Sequence, residues 1–352
     1  MSLEVIYVVR HGFRSSWSVD HVTGTYTSYL RTPTGLPTDP ALTSHGVEQA
    51  NELATHLAGL RPPIDQVYSS PYYRCLQTIS PFVSRRNSGQ VGASHSNEDT
   101  SSASLSIRVE PGLGEWYGRA HFEHPGSAPL NDLSALFADL DANYVSAPAP
   151  RRCGESISQL YRRVATCIEA IITQCDKEGK KAIIISTHAA IVITLGRVLT
   201  AKIPRDVTVE DFGAFTCGLS VYRRQGIDQD CSIATTTNRT AMARDQAQGL
   251  ANTQAAMHTV KTQFKVSLPT PSHVVDSHQS YELDLSSRWR CEVDSDCSFL
   301  RGGEERGWKF SGDESFVEVD PEASSLSTLD LRPTNAVKMQ DNSSACTIIP
   351  KL

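Results

Sequence analysis

The sequence predicts an α/β fold: a doubly wound, mostly parallel sheet flanked by helices, followed by a small β-rich C-terminal module. Three observations carry this expectation. Residues 5–9 and 182–186 are short apolar runs with little polar alternation, as in strands buried on both faces, and residues 64–69 read as another buried strand. Between them lie segments with apolar residues at i, i+3 and i+4, the spacing of amphipathic helices. From Gln263 the texture changes to period-two alternation, with aromatic residues separated by turn formers.

In chain order, Val5-Ile6-Tyr7-Val8-Val9 runs straight into Arg10-His11-Gly12-Phe13-Arg14. Residues 15–42 are rich in Thr, Pro, Ser and Gly and read as a loop, with Tyr26, Tyr29 and Arg31 as candidates for a wall of a site. Thr43 or Ser44 can cap a helix whose apolar face is Val47, Ala50, Leu53, Ala54, Leu57 and Leu60. Pro71 then suits the first turn of another helix, which places Arg74 over the end of the strand at 64–69. Residues 84–106 have almost no apolar content and read as a disordered insertion. A short strand at 106–109 leads to a Gly- and Pro-rich loop carrying Glu115. Residues 118–150 read as loop with one short helix, and a long amphipathic helix follows Gly154-Glu155-Ser156. The strand at 182–186 delivers His188 to the amino terminus of a helix, where backbone N–H groups favour an anion. Residues 217–223 read as the last strand of this domain. The expected organisation is therefore a domain over 1–225, a linker over 226–262 with some helix, a β-rich module over 263–332 and a loose tail over 333–352.

At 352 residues the chain can bury a sizeable core, and 39% hydrophobic with 20% charged residues suits a globular protein. A net charge of -6 argues against direct nucleic-acid binding and against an anionic membrane. No basic leader and no membrane-length apolar segment is visible, so a cytoplasmic or nuclear location is expected. Nine scattered cysteines then read as reduced thiols, and Cys291 with Cys297 makes only half a metal site.

The ends of the three apolar strands bring charged groups to the place where open α/β sheets bind ligands. They are Arg10, His11 and Arg14 from the first, Arg74 after the second and His188 after the third, with Glu115 from a nearby loop. Guanidinium forks match phosphate oxygens. A neutral imidazole is a nucleophile that can take a phosphoryl group. A carboxyl group beside the leaving oxygen can protonate it. The arginines supply the charge stabilisation, so neither metal nor cofactor is required. Each residue alone also fits a plain structural role; their convergence points to catalysis.

These residues resemble the histidine phosphatase superfamily, the phosphoglycerate-mutase-like group. The likeness rests on Arg10-His11-Gly12, the LTxxGxxQA pattern at 42–50, the SSPxxRxxQT pattern at 69–78, Gly154-Glu155-Ser156 and Ser186-Thr187-His188, and covers roughly residues 3–225. It implies a phosphohistidine on His11, a phosphate pocket of Arg10, Arg74 and His188, and Glu115 as proton donor. Arg14 and the stretch at 110–116 resemble a subgroup that includes ubiquitin-associated, SH3-containing tyrosine phosphatases and ecdysteroid phosphatase. Phe13 departs from the pattern, where many members have Glu, and Ser15, Ser16 and Trp17 replace mutase-type polar residues. The opening also resembles the phosphatase domain of a fungal transcription factor IIIC subunit. The expectation is a metal-independent phosphomonoesterase acting on an aryl or phosphotyrosine phosphate, its mouth lined by Trp17, Tyr26 and Trp116. The competing expectations are a scaffold or assembly subunit that holds a protein partner through residues 263–352, and, more remotely, a sugar-phosphate mutase.

Overall fold

The structure, a computed structural model, describes residues 2–89, 104–146, 150–226 and 289–312. In chain order its elements are β1 (Val5–Arg10), β2 (Trp17–Asp20), β3 (Thr25–Ser28), α1 (Ser44–Ala58), β4 (Gln66–Ser69), α2 (Tyr73–Asn87), β5 (Ile107–Val109), α3 (Leu130–Leu136), α4 (Ile157–Glu178), β6 (Ala182–Thr187), α5 (Ala189–Leu199), β7 (Leu219–Arg224) and β8 (Trp289–Asp296). A 3-10 turn, Pro111–Leu113, follows β5.

The main sheet has the order β5-β4-β6-β1-β7-β8. The first four strands are parallel, and β7 and β8 close the sheet antiparallel. Both β1 and β6 are buried along their whole length, which is why they read as unbroken apolar runs. Alternation sends their side chains to two different cores. Ile6 and Val8 pack with Ile168, Ile171 and Ile191 from α4 and α5, whereas Val5, Tyr7 and Val9 pack with Leu53, Leu57, Leu76 and Ile79 from α1 and α2. Helices therefore cover both faces, and the expected doubly wound α/β class holds.

Local chemistry sets the helix ends. Thr43 accepts the Gly46 N–H at the start of α1. Ser156 and Gln159 form a reciprocal capping box on α4, which ends at Gly179 in the left-handed region, φ 68°. No described helix is long and apolar enough to cross a membrane.

Four expectations need correction. Residues 15–42 are not all loop: β2 and β3 form a hairpin whose turn is held by the Asp20 carboxylate, which accepts from Val22 and Thr23 N–H. Residues 84–89 and 104–106 belong to the fold, because Asn87 clamps Leu105 by donating to its carbonyl at 3.0 Å and accepting its N–H at 2.8 Å; residues 90–103 lie outside the described residues. Residues 217–223 are not the final strand. The described part of the expected C-terminal module, residues 289–312, belongs to the first domain: β8 pairs with β7, and Trp289, Trp308 and Phe310 are buried in the α4–α5 core. All of the expected linker over 226–262 except its first residue, and the rest of the module and tail, lie outside the described residues. Within 289–312, Cys291 packs toward the α4–α5 core and Cys297 lies in the α1–α2 core, so the two are not a metal pair.

Candidate active site

The site forms at the carboxyl ends of β1, β4 and β6. Just past β1, the His11 N–H still bonds to the Thr187 carbonyl at 2.9 Å, as a continuation of the ladder. Beyond it the backbone is gripped by side chains of the neighbouring helices. Gly12 N–H donates to Thr78 Oγ1 at 3.0 Å and Phe13 N–H to Gln49 Oε1 at 2.9 Å. Leu42 N–H donates to Gln77 Oε1 at 2.8 Å. The Gln and Thr positions of the two helix motifs thus serve one purpose, fixing the loop that carries His11. Close packing explains a glycine in each motif as well. A Cβ on Gly46 would lie 2.0 Å from the Phe13 carbonyl oxygen, and one on Gly12 would lie 2.9 Å from the Gly46 oxygen.

All six candidate residues converge, and all are buried: Arg10, His11, Arg14, Arg74, Glu115 and His188. The rings of His11 and His188 meet edge to face, centroids 5.5 Å apart. His11 Nδ1 lies 2.8 Å from the Gly12 carbonyl oxygen. A carbonyl only accepts, so Nδ1 carries the proton and Nε2 carries the lone pair. Burial, and then the positive field of Arg74, Arg10 and Arg14, holds the His11 pKa well below its ordinary value, so the ring is neutral.

Glu115 is fully engaged. Its Oε2 accepts from Arg74 Nη2 at 2.9 Å and lies 3.1 Å from His188 Nδ1, while Oε1 accepts the Trp116 N–H at 3.2 Å. Burial alone would raise its pKa; His188 and Arg74 outweigh burial and hold the carboxyl well below the usual carboxylate range. His188 completes the chain. With Nδ1–H facing Glu115, its Nε2 accepts from Ser70 Oγ at 2.7 Å. Arg74 is set by the Thr38 carbonyl at 2.9 Å and by Asp39 at 3.6 Å.

Arg10 and Arg14 are poorer in counter-charge than Arg74, which has Glu115 and Asp39 beside it. Burial pushes Arg10 down to about 10 and Arg14 to about 9, only partly offset by Glu115, and both remain cationic at neutral pH. The Nε atoms of Arg10 and Arg74 are buried and have no hydrogen-bond partner among the described residues. Buried donors in this state cost free energy that an anion would recover. The ligand atoms of His11, Glu115 and His188 lie within 4.8 Å of one another and could in principle hold a metal ion. Such an ion would compete with Arg74 for Glu115 and would sit in the field of three guanidiniums, so the charge balance favours an anion.

An aromatic cluster stands beside Arg14. Its guanidinium lies 5.9 Å from the Trp17 ring centroid, and Trp17 meets Tyr26 at 5.3 Å and Tyr117 at 6.2 Å. Tyr72 meets the His188 ring at 5.0 Å and donates to the Tyr117 hydroxyl at 3.3 Å. Trp116 does not join this cluster. It is buried against Phe310, and its indole N–H donates to the Glu155 carbonyl at 2.9 Å. Tyr29 is largely exposed.

The profile of the histidine phosphatase superfamily, branch 1, matches residues 6–231. The chain belongs to this superfamily. As a histidine phosphatase superfamily member it is similar to the transcription factor tau 55 kDa subunit of Saccharomyces cerevisiae, 31% identical over 203 residues, which cover 56% of this chain and 41% of that protein. It is similar to the ecdysteroid-phosphate phosphatase of Drosophila melanogaster, 30% identical over 227 residues, covering 57% and 27% of the two chains. Ubiquitin-associated and SH3 domain-containing protein A of Mus musculus is 29% identical over 225 residues, covering 57% and 34%. The chain thus spans less than half the length of these relatives. A solved structure of an ecdysone phosphate phosphatase from "Bombix mori", in complex with tungstate, aligns with TM-score 0.46 and 20% identity over 71% of this chain and 98% of that one.

Membership makes this a member of a phosphoryl-transfer family. Several residues of its site escape a reading of the sequence. Ser70 looks like strand punctuation before Pro71, and its bond to His188 appears only in three dimensions. Tyr72 and Tyr117 carry no motif. The Glu155 of Gly154-Glu155-Ser156 takes a bidentate bond from Arg163, whose Nη1 also donates to the carbonyls of Gly112 and Gly114. That pair fixes the loop on which Glu115 sits; Glu155 precedes the Ser156 cap of α4, so helical spacing does not reveal the pair.

Proposed function

We propose that this chain is a metal-independent phosphomonoesterase that works through a phosphohistidine on His11. The observation that carries the reading is a neutral imidazole, Nε2 lone pair free by tautomer, set among buried guanidiniums, with the Nε donors of Arg10 and Arg74 unpartnered among the described residues. Arg10, Arg14 and Arg74 receive the phosphate, and His188 donates to it or to Glu115. His11 Nε2 attacks phosphorus and the P–O ester bond breaks. The leaving oxygen takes the proton of Glu115. In the free protein this carboxylate is ionised; the incoming phosphate takes over Arg74 and repels the carboxylate, which favours its protonated form. Water then attacks the phosphohistidine and gives a proton to Glu115. The P–N bond breaks, and inorganic phosphate leaves with His11 neutral again.

An aryl phosphate, including phosphotyrosine, is the favoured substrate class. Trp17, Tyr26, Tyr72 and Tyr117 offer ring faces and edges beside Arg14. One relative is named for an ecdysteroid phosphate. Phosphate release from an aryl phosphate by wild type and His11→Ala tests the mechanism. The variant is expected to lose activity by at least about 10³-fold, and wild-type turnover in it would sink the reading. Chelators are expected to leave the rate unchanged.

The identity to a transcription factor subunit favours a second role, an assembly subunit that holds a protein partner. Because residues 289–312 belong to the phosphatase fold, the informative bait is the full chain against one ended at 312. Loss of a stoichiometric partner with residues 313–352 supports this role; no stoichiometric partner for the full chain counts against it. The two roles are compatible.

A further inference from the structure

The family match ends at residue 231, yet the Arg306 carbonyl reaches Arg10 of the candidate phosphate pocket. Arg306 has φ 51°, in the left-handed region that non-glycine residues rarely adopt. Its carbonyl oxygen accepts from Arg10 Nη1, which also donates to the Ala214 carbonyl at 2.7 Å. These two carbonyls use both hydrogens of Nη1. The Arg10 Nε, on the opposite edge of the fork, is buried and has no hydrogen-bond partner among the described residues. The carbonyls therefore turn the guanidinium so that its Nε–Nη2 edge is the one left for a bidentate anion.

Glu305 anchors this turn. Its carboxylate accepts from Gln49 Nε2 at 2.9 Å and from His45 Nε2 at 2.6 Å, and its carbonyl accepts the Thr216 N–H at 3.1 Å. Gln49 is the same residue that holds the Phe13 N–H. The Arg306 guanidinium lies 4.2 Å over the Phe13 ring, at the position where the chain departs from the common family pattern. One turn thus grips Arg10 and the backbone two residues beyond His11.

We propose that Glu305 and Arg306 are positioning residues that orient the phosphate-binding fork of Arg10, supplied from outside the matched family region. The proposal rests on Arg10 being a phosphate ligand, as read above. The test is a double-mutant cycle on the full chain, with inorganic vanadate as the probe and its dissociation constant measured by calorimetry. Arg10→Ala is expected to weaken binding by roughly 10- to 100-fold, the range for a hydrogen bond to a charged group. Glu305→Ala is expected to weaken it by about 5- to 20-fold, and Glu305→Gln, which keeps an acceptor for Gln49, by no more than about threefold. In the Arg10→Ala background, Glu305→Ala should add nothing, because the two act through one group. A merely structural role would give an additive loss, and that result overturns the proposal, as does wild-type binding by Glu305→Ala. If Arg10→Ala itself binds like wild type, the phosphate-site reading falls first and the positioning role falls with it.

Discussion

Replacing Glu115 by glutamine should tighten anion binding while it slows turnover, and the structure sets the scale. The ligand atoms of His11 and Glu115 lie within 4.8 Å of each other, so a phosphoryl group on the His11 ring comes close to the carboxylate, and 4.8 Å serves as the scale. At an effective dielectric constant of about 20, one pair of like charges at that separation repels by roughly 3 kcal/mol. Glutamine removes the repulsion and weakens the hold on Arg74, which now donates to Glu115 at 2.9 Å. The amide oxygen still accepts from Arg74, so the expected gain in vanadate affinity is about 10- to 100-fold rather than the full Coulomb value. Turnover moves the other way. With an alkyl phosphate, whose leaving group needs a proton, kcat/KM, which covers only the phosphoryl-transfer step, should fall by about 10²- to 10⁴-fold. With a nitrophenyl phosphate, whose leaving group departs unaided, kcat/KM should fall by less than about tenfold. Steady-state kinetics on both substrates, with calorimetry for vanadate, read all three quantities. Equal losses on both substrates, with no gain in vanadate affinity, would refute Glu115 as the proton donor and leave it a structural counter-ion of Arg74.

Three further outcomes follow from the same geometry. Burial, reinforced by Arg74 and opposed by Glu115, lowers the His188 pKa to about 4; unfolded, it takes a proton near pH 6.5, so from there down to about pH 4 the unfolded chain binds more protons and stability falls, by up to roughly 3 kcal/mol. Urea midpoints should therefore drop across that window in wild type and drop less in His188→Asn. Arg163→Ala should cost about 3–5 kcal/mol in urea unfolding, because it leaves Glu155 buried and unpaired, and Arg163→Lys should not restore stability, because one ammonium cannot serve a bidentate carboxylate and two carbonyls. Gly46→Ala should lower stability by about 1–3 kcal/mol in thermal unfolding, since its methyl would meet the Phe13 oxygen at 2.0 Å.

What could be read in the sequence follows from how each residue is held. The strands β1 and β6 are buried on both faces, so their apolar runs announce them, β4 is marked more by the turn formers after it, and the topology of a parallel sheet then places Arg10, Arg74 and His188 at one edge. Loops have no period. Nothing local says that adjacent residues Trp116 and Tyr117 part ways, one into the α4–α5 core beside Phe310 and one to the aromatic cluster beside Trp17. The hairpin of β2 and β3 is hidden for a related reason, since most of its residues are partly exposed and polar and it packs no full face.

The strand β8 marks a different limit. Four of its eight residues are exposed and it lies at the sheet edge, so its pattern matches that of a separate small module as well as that of an edge strand. What assigns it to the phosphatase sheet is pairing with β7 across residues 225–288, and no local propensity encodes a partner at that distance. The consequence is chemical as well as architectural. Once β8 is in place, the turn after it presents the Glu305 carboxylate to His45 and Gln49 and the Arg306 carbonyl to Arg10. The histidine and arginines of the pocket come from motifs that sequence displays, whereas the orientation of Arg10 depends on a carbonyl that any residue type could supply. A backbone acceptor leaves no signature in composition or spacing, so this part of the site becomes visible only when the chain is folded.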